Sequence, residues 1–297
     1  MTTPPEQNPD GDRPINGPPA APPARGAAVP AARSGWVDGV RLAFGTLTVL
    51  PAGVPRRVDR VVGGRAMVLA PLAGVVVGGF AAAVVAVVLG VRPGADLLAA
   101  VLGVLVVAGL SGGLHLDGLA DLADALGSRR DRETMLRIMK QSDIGPFGVV
   151  AIVGVLLLDV AALTACAQAG FGWQAVLIAT VASRLTLPWS CRTTVPAARP
   201  DGLGAVVAAT VRPITATLTT TAVLAAVLVL TWLTTVPSAA VALRLIGGAA
   251  AGLLAVATSF FASRLATRKL GGTTGDVLGA TVELALPVAL LVLALIV

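Results

Sequence analysis

The sequence is poor in several residue types that carry common functions. Its 297 residues include no tyrosine, one histidine and two cysteines, and only 13% are charged. Because no aromatic residues are interleaved among basic ones, the net charge of +6 does not predict a nucleic-acid surface. Cys166 and Cys191 lie in or beside apolar segments without CxxC spacing, which indicates packing residues and not a zinc site or disulfide framework.

Apolar residues, in contrast, make up 56% of the chain, far more than a soluble domain of this length needs. Seven segments approach the ~20 residues that cross a bilayer core. We expect these spans at 66–90, 96–111, 147–168, 173–190, 216–235, 238–262 and 277–297. The sequence therefore predicts an all-α, polytopic membrane helical bundle with about seven transmembrane helices. The small-xxx-small spacing of Gly74 with Gly78 predicts close helix packing.

The N-terminal part differs from the rest in composition. Residues 1–35 hold nine of the twenty prolines, mixed with alanine and polar residues. Such a segment cannot bury enough apolar surface to order itself, so we expect a disordered tail followed by an integral membrane catalytic domain over 36–297. The apolar run 40–49 ends before Pro51 and is too short to span, which favours an interfacial or re-entrant segment.

Basic residues indicate the orientation. Arginines and lysines concentrate before the first span and after the second, fourth and sixth, whereas the alternate loops are nearly uncharged and only Arg244 fits poorly. By the positive-inside rule, the basic loops and the N-terminus are cytoplasmic and the C-terminus is outside. The three polar loops, 112–146, 191–215 and 263–276, are then expected on the cytoplasmic face, where they can converge on one site.

The first of these loops holds the strongest functional signal. Asp117, Asp121 and Asp124 follow i, i+4 and i+7 spacing, so on a helix they fall within roughly 60° of one another. Leucines occupy the opposite side, which predicts a cytoplasmic amphipathic helix between spans two and three. Three like charges on one stripe repel each other unless a cation lies against them.

A bound divalent metal ion would relieve this repulsion. Carboxylates without cysteine or clustered histidine suit Mg2+ or Mn2+, and Mg2+ usually completes its shell with waters and substrate phosphates. Asp117, Asp121 and Asp124 are therefore predicted metal ligands in a site for phosphate chemistry, the alternative being a solvated acidic face. His115, two residues before Asp117, is either a ligand or proton-transfer group or a structural histidine.

The second loop combines Arg199 and Asp201 with a glycine-rich turn. Arginine forks and exposed backbone amides suit a phosphate or nucleotide. A basic loop that serves only membrane topology is the alternative.

The third loop leads into the last span. Thr274 and Gly275 precede Asp276, which is expected to be the N-cap of that helix. Glu283 follows on the same face, about two turns into the membrane, where a carboxylate by default marks a site. An interhelical hydrogen bond is its alternative role.

Four motifs occur in a characteristic order. They are Gly112-Gly-Leu-His-Leu-Asp-Gly-Leu-Ala-Asp-Leu-Ala-Asp124, Ile138-Met-Lys-Gln-Ser-Asp-Ile-Gly-Pro-Phe-Gly148, Ala198-Arg-Pro-Asp-Gly-Leu-Gly204 and Gly271-Gly-Thr-Thr-Gly-Asp-Val-Leu-Gly279. Together they resemble the cobalamin synthase family, adenosylcobinamide-GDP ribazoletransferase, over essentially everything after the tail. The family often has Lys-Asp-Ser-Arg-Ile-Gly where this chain has Gln141 and Asp143, so Gln141 receives no metal role and Asp143 is a secondary candidate only.

The resemblance implies a Mg2+-dependent transferase in the bacterial cytoplasmic membrane. α-Ribazole or its 5′-phosphate would attack the cobinamide-side phosphorus of adenosylcobinamide-GDP, GMP would leave, and adenosylcobalamin or its 5′-phosphate would form. His115 or an aspartate would take the proton, and Arg199 with the 271–276 loop would hold phosphates. The expected partners are these substrates and the bilayer, without nucleic acid. A homo-oligomer or contact with other cobalamin-pathway enzymes is left open.

Two alternatives remain at this stage. In a CDP-alcohol phosphotransferase, the sequence Asp117-Gly-Leu-Ala would start the motif, but the arginine expected next is Asp121 and the later Gly-xxx-Asp-xxx-Asp is missing. A transporter would place its key charges near the membrane midplane, where only Asp159, Arg184 and Glu283 are candidates.

Overall fold

The computed structural model describes residues 1–2, 31–235 and 240–296, and over these ranges the chain is helical apart from turns and two isolated bridges. The helices are α1 (Ala31–Leu47), α2 (Arg60–Val91), α3 (Asp96–Leu110), α4 (Leu114–Gly127), α5 (Arg132–Ile138), α6 (Pro146–Gln168), α7 (Gly172–Arg184), α8 (Thr186–Ser190), α9 (Gly202–Val207), α10 (Pro213–Thr234), α11 (Ala240–Leu270) and α12 (Gly275–Ile296). Most of the predicted tail, 3–30, lies outside the described residues. Helix α1 begins at Ala31, so the last part of that predicted tail is helical.

Five helices are long and apolar enough to cross a membrane, namely α2, α6, α10, α11 and α12. A sixth span results if α3 and α4, which are bent by 86° at their junction, count as one. The predicted all-α, multi-pass membrane bundle is confirmed. The predicted count of about seven spans is not, since the described residues contain five or six.

The segment 173–190 accounts for part of this difference. It forms the separate helices α7 and α8, which break at Leu185. Nearly every side chain of α7 is buried within the protein, including Arg184 at 0% exposure. Its apolar composition therefore reflects contact with other helices and not with lipid, and hydrophobicity alone does not distinguish the two environments.

Close packing around α7 depends on glycines of α2. A Cβ added at Gly74 would lie 2.9 Å from the Thr180 carbonyl oxygen, and one at Gly78 would lie 3.0 Å from the Thr180 Cβ. The predicted small-xxx-small contact is thus confirmed, because only a residue without a side chain lets the two backbones approach this closely.

The turn between α3 and α4 sets the direction of the acidic helix. Gly112 and Gly113 adopt φ values of +65° and +69°, a left-handed conformation that glycine reaches without the usual steric cost. The turn sends α4 off nearly at right angles to α3. Leu119 and Leu122 of α4 then pack in one core cluster with Val277 and Ala280 of α12.

Candidate active site

The three polar loops meet in space, as their sequence positions predict. Arg132 from the first loop donates to the carbonyl oxygen of Leu270 at 2.7 Å and to that of Ala198 at 3.0 Å. The Ala198 amide in turn donates to the Thr273 carbonyl at 2.9 Å. One guanidinium therefore joins a loop residue from each of the other two segments, and the predicted convergence is confirmed.

Helices α4 and α12 cross at two glycines beside this junction. A Cβ on Gly118 would lie 2.7 Å from the Asp276 carbonyl oxygen, and one on Gly279 would lie 3.1 Å from the His115 Cα. Because neither glycine carries a side chain, the backbones touch and the polar residues of α4 lie next to the first turn of α12.

The crossing borders a cavity of about 310 Å³. Thr46, His115, Asp117 and Asp276 are its polar side chains, and Gly275 lies beside Asp276. The remaining lining residues are apolar or glycine, and they include Leu47 of α1, which the sequence does not predict at the site. The sequence does hold one signal for this contact. Leu42, Ala43 and Leu47 are spaced so that they share one face of a helix, and all three are buried in one core cluster.

The carboxylates around this cavity are incompletely compensated. Asp121 is half-buried, and its pKa is raised from 3.8 to about 7, chiefly by burial and then by the negative charges of Asp117, Asp276 and Asp124. Arg199 opposes this shift, but it does not cancel it. The site therefore favours the arrival of a further positive charge.

Asp276 is held by two neighbours. Its Oδ2 lies 3.2 Å from the Arg199 Nη2 and accepts a hydrogen bond from the Thr274 hydroxyl at 3.2 Å. The Thr274 hydroxyl oxygen also accepts the Val277 amide hydrogen at 3.2 Å. Thr274 is thus the residue that caps α12, and the predicted N-cap role of Asp276 is wrong, because Asp276 lies inside the first turn.

Asp124 faces a different partner from the other aspartates of α4. Its Oδ2 accepts the Gly145 amide at 2.7 Å and its Oδ1 accepts the Gly148 amide at 2.9 Å. Both amides belong to the N-terminus of α6, where a carboxylate also interacts favourably with the helix dipole. Asp124 therefore fastens α4 to α6.

The predicted metal triad is not preassembled. Within the ranges that the structure describes, no group of three or more histidine, cysteine or acidic side chains is close enough to hold a metal ion. Asp117 and Asp121 remain on the side of Asp276, whereas Asp124 binds the α6 amides.

His115 lines the cavity, and Glu283 lies next to His115. The two side chains are almost fully buried, and the His115 Nδ1 is 3.8 Å from the Glu283 Oε1, beyond hydrogen-bond distance. Asp159 and Arg184 are buried within electrostatic reach of Glu283. The three residues considered for a transporter thus lie in one interior polar cluster adjoining His115.

The remaining predicted residues lie at the edge. Asp201 is exposed and pairs with the Lys140 Nζ at 3.0 Å, an interaction that lowers the pKa of this carboxyl. Asp143 is exposed, makes no ion pair or side-chain hydrogen bond with the other described residues, and does not line the cavity. The structure thus groups Arg199, Thr274 and Asp276 with the α4 residues, and it leaves Asp143 apart.

These features define a class: a multi-pass, helical membrane protein whose polar loops meet beside an acidic cavity, with an arginine paired to one of its carboxylates. A family model described as cobalamin-5-phosphate synthase matches residues 39–294. The chain belongs to the cobalamin-5-phosphate synthase family.

Individual relatives agree with this family. A protein named adenosylcobinamide-GDP ribazoletransferase from Frankia casuarinae is 42% identical over 271 residues, which cover 86% of this chain and 94% of the relative. A protein of the same name from Nocardioides sp. is 39% identical over 86% of this chain and 97% of its own length. Another, from Ectopseudomonas mendocina, is 37% identical over 86% of this chain and 98% of its own length. No solved structure matches the chain. The resemblance inferred from the four motifs is therefore confirmed.

Proposed function

We propose that this chain transfers the adenosylcobinamide phosphate group from adenosylcobinamide-GDP to α-ribazole or its 5′-phosphate. The observation that carries the proposal is the family match over residues 39–294. In this reaction a hydroxyl oxygen of the ribazole bonds to the cobinamide-side phosphorus, and the phosphoanhydride bond to GMP breaks. GMP leaves with the anhydride electrons, and the hydroxyl proton passes to a base.

The donor set fits a Mg2+ ion that is completed by substrate. Asp117 and Asp121 would hold the ion on the side of Asp276. The pKa of Asp121 is raised first by burial and then by the neighbouring carboxylates, whose repulsion a cation would relieve. A preassembled protein cage is not required, since Mg2+ is usually bound through one or two carboxylates plus phosphate oxygens and water. When bound, the ion would neutralise charge on the pyrophosphate as GMP departs.

Arg199 is the cation best placed for a substrate phosphate. Its guanidinium is mostly buried, with 15% of the side chain exposed, and it is already held against Asp276 at 3.2 Å. A guanidinium fixed in this way loses little freedom when it binds a phosphate oxygen. Thr274 and Asp276 therefore position Arg199, and the 271–276 loop supplies the adjacent backbone.

His115 is proposed to accept the proton of the attacking hydroxyl. Its ring borders the cavity, and neither ring nitrogen forms a hydrogen bond with another described residue. An imidazole whose nitrogens have no partner among the described residues can accept a proton from a bound hydroxyl. Glu283, whose Oε1 lies 3.8 Å from the His115 Nδ1, would orient the imidazole.

We further propose that the cavity faces the cytoplasm across a bacterial cytoplasmic membrane, with the N-terminus inside. The support is the positive charge of the loops at this end of the bundle, including Arg129, Arg130 and Lys140 between α4 and α6. The substrates carry phosphates that do not cross a bilayer freely, so a site open to the cytoplasm fits their supply.

The decisive test is GMP release by the purified full-length protein given adenosylcobinamide-GDP and α-ribazole, with and without Mg2+. We expect Mg2+-dependent GMP in equal amount to a new corrinoid of the product mass. Omission of α-ribazole distinguishes transfer from hydrolysis. If folded, monodisperse protein releases no GMP but acts on a CDP-linked lipid, the proposed activity is wrong and the CDP-alcohol alternative is favoured.

A further inference from the structure

A second cleft, away from the candidate active site, is lined by arginines. This arginine cleft has a volume of about 450 Å³ and is lined by Trp36, Arg60, Arg65, Thr210 and Arg212 together with small and apolar residues. It shares no lining residue with the cavity around Asp117 and Asp276. None of its described lining residues is acidic.

Among the residues that the structure describes, the three arginines have no anionic partner. Arg65 stacks over the Trp36 ring at 5.1 Å, which leaves the edge of its guanidinium available. Arg60 donates to the carbonyl oxygens of Ala205 and Ala208, and Arg212 is exposed. In the described part of the chain, none of the three forms an ion pair.

The nearest acidic residue along the chain does not neutralise them. Asp59 pairs with Arg57, and its carboxylate accepts the amides of Val61 and Val62 as the N-cap of α2. Like charges that share one cleft repel each other. An anion with several oxygens would remove the repulsion and could bind the guanidinium forks through paired hydrogen bonds.

The position of the cleft indicates the source of that anion. Two candidate spans begin at it, α2 at Arg60 and α10 at Pro213, so the arginines lie where polar headgroups are expected. Exposed apolar residues follow the arginines along both helices: Val61, at 60% exposure, comes directly after Arg60, and Ile214, at 63%, comes two residues after Arg212. Trp36 is half-exposed beside them, as is typical of the membrane interface.

We propose that the arginine cleft binds the phosphate of an anionic phospholipid, whose acyl chains lie along the exposed apolar residues of α2 and α10. Basic pockets between membrane helices are suited to such headgroups. A soluble phosphate ligand would satisfy the arginines but would leave the apolar surface beside them without a role. The proposal does not depend on the reaction assigned to the other cavity.

The test is lipid binding by the full-length protein in neutral detergent, followed by native mass spectrometry with phosphatidylglycerol or phosphatidylcholine. Wild type should prefer phosphatidylglycerol. Each arginine removed should weaken that binding about fivefold, so Arg65→Gln combined with Arg212→Gln should weaken it roughly 25-fold. The matched control is Arg130→Gln with Arg268→Gln, which removes the same charge from two other exposed arginines.

The proposal is supported if the cleft variant loses clearly more phosphatidylglycerol binding than the control variant does. Equal loss in both variants would mean that only the overall charge matters, and this outcome would overturn the proposal. Equal binding of phosphatidylcholine would overturn it as well. So would displacement of the lipid by inorganic phosphate or GMP at comparable concentration, which would identify a site for soluble anions. Because turnover is not measured, these outcomes are independent of the GMP-release test.

Discussion

Asp121 and Asp124 are three residues apart on α4, yet their carboxylates have different surroundings. Asp121 faces Asp117 and Asp276 and experiences their repulsion, whereas Asp124 receives two amide hydrogen bonds from the start of α6. The spacing of the three aspartates predicted a common face, and it could not reveal that one member would cap a neighbouring helix. That role depends on Gly145 and Gly148, which leave room for the carboxylate.

The two residues should therefore respond differently to the loss of charge. Asp121→Asn should reduce GMP release by roughly a hundredfold or more, since it removes a proposed metal ligand, while the melting temperature stays equal or rises because repulsion is relieved. Asp124→Asn leaves one amide of α6 without its carboxylate acceptor and should lower the melting temperature. Thermal unfolding in detergent alongside the GMP assay checks both. A destabilised Asp121 variant with full activity per folded molecule would contradict this division.

Asp121 should also make the metal-free protein sensitive to pH. Its folded-state pKa, about 7, is above its ordinary value of 3.8, so its contribution to stability is fully present below the ordinary value and is lost as pH rises through about 7. The melting temperature in chelator should therefore fall between about pH 4 and about pH 7 and level off above that. Mg2+ should restore part of the loss at the higher pH, because it compensates the ionised carboxylate.

The control for this experiment is Asp121→Asn, which cannot titrate. Its melting temperature in chelator should decline less over the same pH interval, and Mg2+ should have a smaller effect. An unchanged decline in this variant would assign the pH dependence to other groups.

At the scale of elements, the crossing of α4 and α12 holds the site together. Gly118 and Gly279 bring the two backbones into contact, and the added methyl of Gly118→Ala would meet the Asp276 carbonyl at 2.7 Å. Backbone cannot yield as a flexible side chain does, so the helices must separate. We expect about 1–3 kcal/mol of destabilisation and roughly a tenfold or greater loss of activity, because the carboxylates move apart.

Gly154→Ala is the matched control for this substitution. Gly154 also lies within a helix, α6, but an added Cβ there has no neighbouring atom within 4 Å. Its activity should remain at the wild-type level. If both variants behave alike, the effect at Gly118 comes from glycine replacement in general and not from the helix crossing.

The elements also show what hydrophobicity could and could not predict. Helices α2, α6, α10, α11 and α12 were found because each is a long apolar run. The segment now divided between α7 and α8 has a similar composition but is buried by its neighbours, and only three-dimensional contacts separate these cases. Likewise, the run 40–49 predicts an interfacial or re-entrant segment, while Leu47, which ends α1, lines the candidate site through tertiary packing.

At the scale of the whole molecule, the arrangement of loops predicts a definite orientation in the membrane. The site loops lie at one end of the bundle. Helix α2 is 32 residues long, and Arg92 lies in the turn that follows its C-terminal end. Cys166 and Cys191 are both 0% exposed, so the wild-type chain should give little background in thiol labelling. Single cysteines can therefore report the side on which each end lies.

An impermeant maleimide added to intact cells should label Arg92→Cys but not Arg130→Cys, since Arg130 lies in the loop between α4 and α5 on the proposed cytoplasmic side. Inverted vesicles should give the opposite pattern, and permeabilised membranes should allow both positions to react. Because Arg92 and Arg130 are both exposed in the structure, accessibility within the protein does not limit either reaction. Labelling of Arg130→Cys in intact cells would place the candidate site outside the cytoplasm, where GDP-linked substrate is not supplied, and would contradict the proposed orientation without altering the geometry of the site.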